Sequence, residues 1–595
     1  MRYPNIYSLF RERVEHYSDR DVFFVREDDH WKGISWAQFD REARAFSSAL
    51  VASGLSKGGS VAILMGNVPA WPISDLGTIM AGGVGVGLYP TSSAEQCKYI
   101  INHSDAEFVL VDTPAQLEKV LHLQAEPTKV KSVIVLDEFA AREHPGVMSY
   151  HEFLQFGAEH LETTREVVEA RAGEAQPDDT VIMVYTSGTT GLPKGTCLSH
   201  RYVINSVESL REVIPFYESD VAFSFLPYCH VAERISGLYN RLYAGTPAYF
   251  VNDISKLWDY MLELKPRMFP GLPRFLEKIH ARIVSDFEKD TADQQQLFAE
   301  VLALGRQLSL WRQNGKGPPE NLTREYERVA QPIIHRFKSY FGGNIEFATS
   351  GGAPLPAEIA EFFDALGIPI LQAYGLTENV CVAFNRPDNY KFGTVGPPMP
   401  GCAVKIAADG EILVRSEMMF NGYYKQPDKT AEVLRDGWLL TGDLGELDSD
   451  GFLKITGRKK ELIITSTGKN IAPALIENLL REHHLISHAM VYGDGRSYLV
   501  ALVTLNLSET ESFARSHNIE YHDRAELTQH PDVREFISGI VAGVNQRVSS
   551  TEAIRNFLIL DRDFTVEAEE ITPTLKIKRN IVTERYRDVL ESLYA

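Results

Sequence analysis

Continuous apolar runs alternate with helix-length segments in the first part of the chain. Near the N-terminus, Ile6, Leu9, Phe10 and Val14 recur at helical spacing and predict a docked amphipathic helix. The apolar runs are VAILMG at 61–66, VGVGLYP at 84–90, FVLVD at 108–112, SVIVLD at 132–137 and VIMV at 181–184. Strands that are apolar at every position are typical of a parallel sheet covered by helices on both faces. The pattern therefore predicts an α/β fold.

The pattern changes in the second half of the chain. Residues 280–340 are charged and helical in period, with few turn residues before Asn314-Gly315, and they predict a helical insertion on the surface. From 393 to 456, short strands and tight turns alternate, which is typical of a small β-rich unit. Both segments belong to a large N-terminal domain, which we place at residues 1–456.

A second, smaller domain is predicted after a turn at residues 448–451. A helix starts near Pro473, with Leu475, Ile476, Leu479 and Leu480 on one face. Strands follow at 489–491 and 498–505, and a basic segment closes the chain. We expect residues 457–595 to form a mobile α+β C-terminal domain.

Composition narrows the classes of protein. The 595 residues exceed what one core usually supports, and a net charge of −20 disfavours nucleic-acid binding. The most apolar stretch, about 73–90, is interrupted by Asp75 and glycines, so we expect no transmembrane segment. The N-terminus has no apolar core of signal-peptide length.

The five dispersed cysteines lack a C-x-x-C pair and favour a reducing compartment, so we expect a cytoplasmic protein. Peripheral membrane contact and a homo-oligomer stay open.

A loop rich in glycine and hydroxyl groups follows the apolar run at 181–184. Residues 185–195 have the sequence YTSGTTGLPKG. Glycines allow sharp turns and a close approach of a ligand to the backbone, hydroxyls donate hydrogen bonds, and a lysine attracts phosphate oxygens. The loop is not a Walker A motif, which ends in Gly-Lys-Ser/Thr. It predicts a polyphosphate-binding turn formed by Thr186, Ser187, Gly188, Thr189, Thr190, Gly191, Lys194 and Gly195.

The loop resembles the phosphate loop of the adenylate-forming (AMP-binding) superfamily. Further segments match the core motifs of that superfamily in the right order, between residues 185 and 579. Within the superfamily, the chain looks most like long-chain fatty acyl-CoA synthetases, on the segments LPYCHVAER (226–234), QAYGLTE (372–378), the helical insertion and TPTLKIKR (572–579).

This resemblance implies ATP-dependent ligation of a long-chain fatty acid to coenzyme A through an acyl-adenylate, with release of AMP and pyrophosphate. The implied cofactors are ATP and Mg²⁺, with coenzyme A as a substrate. Two alternatives stay open. One is a fatty acyl-AMP ligase that delivers its product to a separate carrier protein. The other, from a different class, is a non-catalytic acyl or nucleotide sensor on the same fold.

Attack of a carboxylate on the α-phosphate of ATP requires charge neutralisation and a held geometry. Lys194 and the loop hydroxyls suit the β- and γ-phosphates. Glu378 suits a magnesium ion, because hard cations prefer carboxylate oxygens. Its alternative role is a cap at a helix start. The resemblance adds Thr186 as a second metal candidate and Thr377 as a phosphate contact.

Nucleotide recognition requires an aromatic face and acceptors for the ribose hydroxyls. Asp443 in GWLLTGDLG is a carboxylate that could accept from both hydroxyls, and Arg458 in TGRKKE would be its partner from the domain boundary. By resemblance, Tyr374 stacks on the adenine. The backbone around the base is expected to be formed by Gly351, Gly352, Ala353, Pro354 and Gly375.

The basic C-terminal segment is expected to supply a mobile cation. Lys576 matches the catalytic lysine of the superfamily by its spacing to Arg579, whereas an alignment on Thr574 selects Lys578. The resemblance also implies rotation of the C-terminal domain, with Lys460 at the hinge. The rotation would withdraw Lys576 and bring in residues 465–470, where Gly468 would let the pantetheine thiol of coenzyme A pass.

His230 resembles the residue beside the acyl carboxylate, where a neutral imidazole would orient the nucleophile; a structural role is the alternative. Just after it, Ala232-Glu233-Arg234 stands where many bacterial relatives carry an aromatic gate, so gating is not carried over. Candidates for the walls of an acyl tunnel, or equally for the core, are Phe223, Phe225, Leu238 and Tyr239.

Overall fold

Two sheets form the first half of the N-terminal part of the protein. The computed structural model describes residues 1–121, 123, 128–186, 192–466, 469–566, 568–572 and 576–594. An eight-stranded sheet has the order β18-β9-β8-β4-β3-β5-β6-β7 and is parallel from β8 to β7. Its strands are β3 (Ser60–Leu64), β4 (Val84–Gly87), β5 (Ala106–Val111), β6 (Ser132–Val135), β7 (Val147–Ser149), β8 (Thr180–Thr186), β9 (Lys194–Ser199) and β18 (Gly422–Tyr423). A four-stranded sheet, β10-β11-β1-β2, contains β1 (Asp21–Glu27), β2 (His30–Ser35), β10 (Ala222–Ser224) and β11 (Ala248–Phe250).

A third and a fourth sheet complete the N-terminal part. The third has the order β12-β13-β14-β15, with β12 (Met268–Gly271), β13 (Phe347–Ser350), β14 (Ile370–Leu376) and β15 (Asn379–Phe384). The fourth is the predicted β-rich unit, with β16 (Cys402–Ile406), β17 (Glu411–Ser416), β19 (Leu434–Arg435), β20 (Trp438–Leu447) and β21 (Leu453–Arg458).

Helices cover these sheets, as the α/β prediction requires. The predicted N-terminal helix buries Ile6, Leu9 and Phe10, and its capping box joins Asn5 and Ser8. The helices are α1 (Ile6–Tyr17), α2 (Trp36–Ala52), α3 (Ala70–Met80), α4 (Ala94–His103), α5 (Pro114–Glu118), α6 (Glu138–Glu143), α7 (Tyr150–Glu159), α8 (Leu161–Gly173), α9 (His200–Val213), a π-helix (Ala232–Tyr239), α10 (Asn240–Ala244), a 3-10 turn (Ile254–Lys256), α11 (Leu257–Leu264), α12 (Pro273–Glu288), α13 (Ala292–Gln313), α14 (Glu320–Ser339), α15 (Ala357–Ala365) and α16 (Pro427–Val433).

The predicted insertion at 280–340 is helical, but it does not lie on the surface alone, because one of its faces is part of a core. It consists of the end of α12 together with α13 and α14. Ile333 and Phe337 on α14 are buried in the same core as Phe269 of β12 and Ala348 of β13. One face of the insertion therefore supports the third sheet, which carries part of the site described below.

The C-terminal part has its own core around a three-stranded sheet. A 3-10 turn (Lys459–Glu461) precedes it, and β24 and β25 are antiparallel whereas β25 and β26 are parallel. Its elements are β22 (Ile463–Ile464), β23 (Asn470–Ile471), α17 (Pro473–Arg481), β24 (Ile486–Tyr492), β25 (Leu499–Leu505), α18 (Leu507–Ser516), α19 (Arg524–Gln529), α20 (Pro531–Arg547), β26 (Ile554–Ile559), α21 (Arg579–Arg585) and α22 (Arg587–Ser592). The predicted face of α17 is wrong at Leu475, which is 48% exposed, whereas Ile476 and Leu480 are buried.

Two further expectations can be compared with the structure. Within the described ranges, no helix has the length and apolar content needed to span a bilayer. All five cysteines are free thiols; Cys97, Cys229 and Cys381 are buried, and the other two are half-buried. Burial raises the pKa of the Cys97 and Cys197 thiols to about 11, so these side chains stay protonated near neutral pH.

Candidate active site

Strand β9 and a β-hairpin bring Lys194 and Glu378 into contact with the same residue, Tyr423. Lys194 is the first residue of β9 and pairs with Thr186 at the end of β8. Its ammonium lies 4.4 Å from the centre of the Tyr423 ring, and the Tyr423 hydroxyl donates a 2.5 Å hydrogen bond to Glu378. Burial lowers the pKa of Lys194, and the negative charge of Glu378 partly offsets this effect. Tyr423 therefore joins the two predicted charged residues.

Glu378 is not at a helix start, so the helix-cap alternative is wrong. Thr377 and Glu378 form the turn between β14 and β15, where Leu376 pairs with Asn379. The Tyr202 hydroxyl donates to the Thr377 carbonyl at 2.9 Å, and the Phe420 amide donates to the Glu378 carbonyl at 2.9 Å. These bonds fix the backbone of the turn and leave the Glu378 carboxylate directed toward Tyr423.

The fit of Glu378 to a magnesium ion can be judged from the donor set. The described residues contain no group of three or more His, Cys, Asp or Glu side chains placed to hold a metal ion. Mg²⁺ usually takes one or two carboxylates and completes its shell with phosphate and water oxygens. One half-buried carboxylate that shares the contact residue Tyr423 with Lys194 fits that mode of binding.

Three side chains form a second cluster on β14, β20 and β21. Asp443 pairs with Arg458 across the two strands, and the Arg458 Nε lies 3.0 Å from the Asp443 Oδ1. The Tyr374 hydroxyl donates to the Asp443 Oδ2 at 2.6 Å. Burial and the charge of Asp443 hold the pKa of Tyr374 well above its ordinary value, so the hydroxyl is a permanent donor. Both carboxylate oxygens of Asp443 are thus held in place by protein groups.

The remaining predicted nucleotide contacts lie beside Tyr374. Gly351, Gly352, Ala353 and Pro354 follow β13, and the loop is tied to β14 by the Leu355 amide, which donates to the Gln372 Oε1 at 3.4 Å. Gly352 has a φ of +79°, a conformation that favours glycine. A Cβ at Gly375 would lie 1.9 Å from the Val380 carbonyl oxygen, so the hairpin requires glycine there.

His230 and Lys576 lie within electrostatic range of each other, although one is in each part of the protein. Burial, followed by the positive charge of Lys576, lowers the pKa of His230 to about 4. The His230 Nδ1 accepts from the Ala232 amide at 3.2 Å, so the ring proton of the neutral imidazole is on Nε2.

Lys576 combines an exposed residue surface with a desolvated ammonium. Its residue surface is exposed, yet surrounding protein groups desolvate the ammonium and lower its pKa, followed by the effect of the Arg458 cation. Asp443 and Glu461 act in the opposite direction. Lys578 instead occupies the N-cap position of α21, and its amide donates to the Glu570 carbonyl at 2.8 Å. Of the two lysines, Lys576 is therefore the one that interacts electrostatically with Asp443, Arg458 and His230.

Some predicted residues lie outside the described part of the chain, namely Ser187, Gly188, Thr189, Thr190 and Gly191 of the phosphate loop and Gly468 of the predicted thiol path. Lys460, the predicted hinge residue, belongs to the 3-10 turn that joins the two parts of the protein. The adjacent Lys459 bonds to Asp409 at 2.6 Å and to Glu411 at 3.0 Å in the β-rich unit.

The two charged residues just after His230 are core residues. Glu233 pairs with Arg241 at 2.7 Å, and Arg234 pairs with Asp75, which also accepts from the Tyr239 hydroxyl at 2.7 Å. All are buried. Of the candidate tunnel residues, Phe223, Leu238 and Tyr239 are buried to the same degree as the core, whereas Phe225 is half-buried against Phe269 and Phe275.

Sequence reasoning missed Tyr423 and Tyr202. Tyr423 lies in a two-residue strand that pairs with β9, and it joins Lys194 and Glu378, which are far apart in the sequence. A tyrosine in the sequence NGYYKQ carries no local signal that would distinguish it from a surface residue. Tyr202 reaches the Thr377 carbonyl from helix α9, again through a long-range contact.

Comparison with known proteins gives this arrangement a family context. A family model described as AMP-binding enzyme matches residues 10–424, and one described as AMP-binding enzyme C-terminal domain matches residues 460–595. The long-chain-fatty-acid–CoA ligase FadD15 of Mycobacterium bovis is 33% identical over 605 residues, which cover 100% of this chain and 97% of that protein. The long-chain-fatty-acid–CoA ligase ACSBG1 of Rattus norvegicus is 33% identical, with 99% of this chain and 85% of that protein covered.

Solved structures agree at the level of the fold. The adenylation domain of a carboxylate reductase from Mycobacterium chelonae has a TM-score of 0.72 at 24% identity, covering 100% of this chain and 92% of that one. The anthranilate CoA ligase AuaEII, in complex with anthranoyl-AMP, has a TM-score of 0.71 at 17% identity, covering 99% and 97%. Together with the two family models, which match both parts of the protein, these comparisons show that the chain belongs to the AMP-binding enzyme family.

Proposed function

We propose that this protein is an ATP- and magnesium-dependent ligase that joins a long-chain fatty acid to coenzyme A through an acyl-adenylate. The observation that carries the proposal is that Lys576 of the C-terminal part lies within electrostatic range of His230 and Asp443 of the N-terminal part and of Arg458 at the joint between the two parts. The full-length identity to two proteins named long-chain-fatty-acid–CoA ligases supports the choice of substrates.

In this proposal, the Asp443 cluster binds the nucleoside. The ribose hydroxyls donate to Asp443, whose carboxylate is already oriented by Tyr374 and Arg458. The ring of Tyr374 offers an aromatic face to the adenine, and the loop at 351–354 lines the opposite edge of the base. Because these groups are held in place before the nucleotide arrives, little ordering is left for the binding step.

The adenylation step brings a fatty carboxylate to the α-phosphate of ATP, and both are anions. His230 stays neutral at physiological pH because its pKa is about 4, and its Nε2–H is free to donate to one carboxylate oxygen. The other oxygen is then the nucleophile. Lys194 suits the β- and γ-phosphates, and Lys576 supplies a cation where charge develops as pyrophosphate departs.

Glu378, with Thr186 as a second candidate, would hold the magnesium ion that accompanies ATP. Such an ion neutralises phosphate charge and so makes the α-phosphorus accessible to an anionic nucleophile. The hydrogen bond from Tyr423 restricts the Glu378 carboxylate to one orientation. Because Tyr423 contacts both Glu378 and Lys194, the proposed metal ligand and the proposed phosphate contact would act on the same phosphate chain.

Thiolysis by coenzyme A is the second half-reaction, and it requires a different set of groups. We propose that residues 457–595 rotate as a unit about the segment around Lys460 after pyrophosphate leaves, which withdraws Lys576. Residues 465–470 then line the path of the pantetheine thiol. A hinge of a few residues at the joint between two separate cores is the usual way in which such a rotation is absorbed.

The proposal is tested by turnover of the purified protein with ATP, magnesium and a panel of fatty acids, with and without coenzyme A. Formation of AMP and acyl-CoA that depends on coenzyme A, strongest for C14–C18 acids, is the expected result. Acyl-AMP that accumulates without transfer to coenzyme A would replace the proposal with a ligase that serves a carrier protein. Absence of an adenylate with every acid would leave the sensor as the better interpretation.

A further inference from the structure

A buried polar contact joins helix α12 of the N-terminal part to strand β24 of the C-terminal part. Arg274, in the first turn of α12, donates to the Ser487 Oγ at 3.2 Å, and its second terminal nitrogen lies 2.6 Å from the Nε2 and 3.1 Å from the Nδ1 of His488. His488 is only 4% exposed. A guanidinium nitrogen this close to both ring nitrogens lies over the imidazole ring, and its positive charge favours the neutral ring over the imidazolium.

The carboxylate of Asp563 fixes which nitrogen of the His488 ring carries the proton. The His488 Nδ1 lies 2.7 Å from the Asp563 Oδ1, so the ring proton of the neutral imidazole is on Nδ1. Asp563 also accepts from the Thr504 Oγ1 at 2.6 Å and from the Ser487 hydroxyl. These hydrogen bonds hold the pKa of Asp563 well below its ordinary range, although burial acts in the opposite direction.

The charged groups around His488 come from two helices and from the segment after β26. Arg274 and Glu277 are on α12, Arg481 is on α17, and Asp563 follows β26; Arg481 pairs with Glu277 at 3.1 Å and so forms a second bridge between the two parts. Burial lowers the pKa of His488, Asp563 partly opposes this, and the two arginines lower it further. Protonation of His488 would set two cations against each other across the contact.

We propose that Arg274 is a positioning residue, which holds the C-terminal domain in the orientation that brings Lys576 to the adenylation site through its contacts with Ser487 and neutral His488. The inference rests on the proposed two-step function. The contact exists in the same arrangement that brings Lys576 to His230, and it must break when the domain rotates for thiolysis. It therefore stabilises the adenylation state and contributes nothing to the thiolysis state.

The two half-reactions are measured separately to test this role. Fatty-acid-dependent exchange of pyrophosphate with ATP reports adenylation, and release of acyl-CoA from synthetic palmitoyl-AMP reports thiolysis. In Arg274→Met, we expect adenylation to fall about tenfold, the effect of losing hydrogen bonds from a charged donor, with thiolysis at the wild-type rate or above. Arg282→Met is the matched control, because Arg282 is an exposed arginine two turns further along the same helix. It should leave both rates unchanged.

A double-mutant comparison separates positioning from a general structural role. His488→Asn removes the imidazole ring that Arg274 contacts. In that background, Arg274→Met should therefore lower adenylation little further. The adenylation rate of the wild type should also fall more steeply below pH 6 than that of Arg274→Met, because only the wild type sets a guanidinium against protonated His488. Equal loss of both half-reactions in Arg274→Met, or additive losses in the double variant, would overturn the inference. Absence of adenylation in the wild type would instead refute the proposed function.

Discussion

Replacing Lys576 with methionine tests the assignment of the mobile cation. The change removes the ammonium but keeps an unbranched side chain of similar length. The Lys576 ammonium is desolvated and lies within electrostatic range of Arg458, Asp443 and His230, and a desolvated cation interacts more strongly with developing charge than it would in water. The loss of one donor directed at transition-state charge costs about 10²–10³ in rate, or about 3–4 kcal/mol. We therefore expect adenylation by Lys576→Met to fall by about that factor.

The matched control is Lys578→Met, two residues along the chain. Lys578 lies at the start of α21, so its replacement should change adenylation less than threefold. Pyrophosphate exchange measures adenylation, and thiolysis of palmitoyl-AMP measures the second half-reaction, which neither variant should lose. A loss of adenylation in Lys578→Met, with Lys576→Met like the wild type, would show that Lys578, and not Lys576, supplies the cation. Wild-type adenylation in both variants would refute the argument that a C-terminal lysine stabilises the transition state.

Three further predictions concern other parts of the protein. Glu378→Gln should lower adenylation about 10²-fold and raise the magnesium concentration needed for half-maximal exchange, because the amide is a weaker ligand for a hard cation. Arg234→Met should lower the free energy of unfolding by about 3–5 kcal/mol in a denaturant titration, because it leaves the buried Asp75 carboxylate without its cation. Burial lowers the pKa of His200 to about 4, and its Nδ1 accepts from the Ile6 amide at 3.1 Å. The unfolded chain takes up this proton first, so the melting temperature should fall as the pH drops from about 6.5 toward 4, and less steeply in His200→Gln.

Each of these predictions has its own control and its own contrary result. For Glu378, an unchanged magnesium requirement in the variant would exclude it as a metal ligand. For Arg234, the control is Arg165→Met at an exposed pair with Glu162, which should change stability little; equal effects at the two sites would contradict the argument from burial. For His200, parallel melting curves of variant and wild type across the pH range would show that its burial does not govern acid stability.

Much of the architecture could be predicted from the sequence because local patterns carry it. A run such as VAILMG has no polar face, so it can only form a strand that is covered on both sides, and it forms β3. The helical period of 280–340 and the alternation of strands and turns at 393–456 are equally local. The sequence did not indicate which other elements these two segments pack against. Nothing in the charged, helical segment indicated that Ile333 and Phe337 belong to the core under β12 and β13.

In the candidate site, too, the pairing of two nearby motifs could be predicted, whereas features that depend on distant contacts could not. Two motifs fifteen residues apart predicted Asp443 and Arg458 as partners, and the structure joins them by an ion pair of 3.0 Å. Tyr374 was predicted from the family resemblance as the residue that stacks on the adenine, and its hydrogen bond of 2.6 Å to Asp443 was not predicted. The context of Glu378 was misjudged, because a glutamate after Leu-Thr fits a helix cap and a hairpin turn equally well. The choice depends on whether a partner strand is available, and β15 provides one.

The sequence by itself determined the order of the elements and the α/β character of the fold. Tertiary structure alone decided which of two neighbouring lysines interacts with Asp443 and Arg458, that Tyr423 joins Lys194 to Glu378, and that Arg274 meets His488. These outcomes depend on contacts between residues that are tens to hundreds of positions apart. Periodicity and turn chemistry act over a few residues, so they carry no information about which distant side chains come to share one desolvated space.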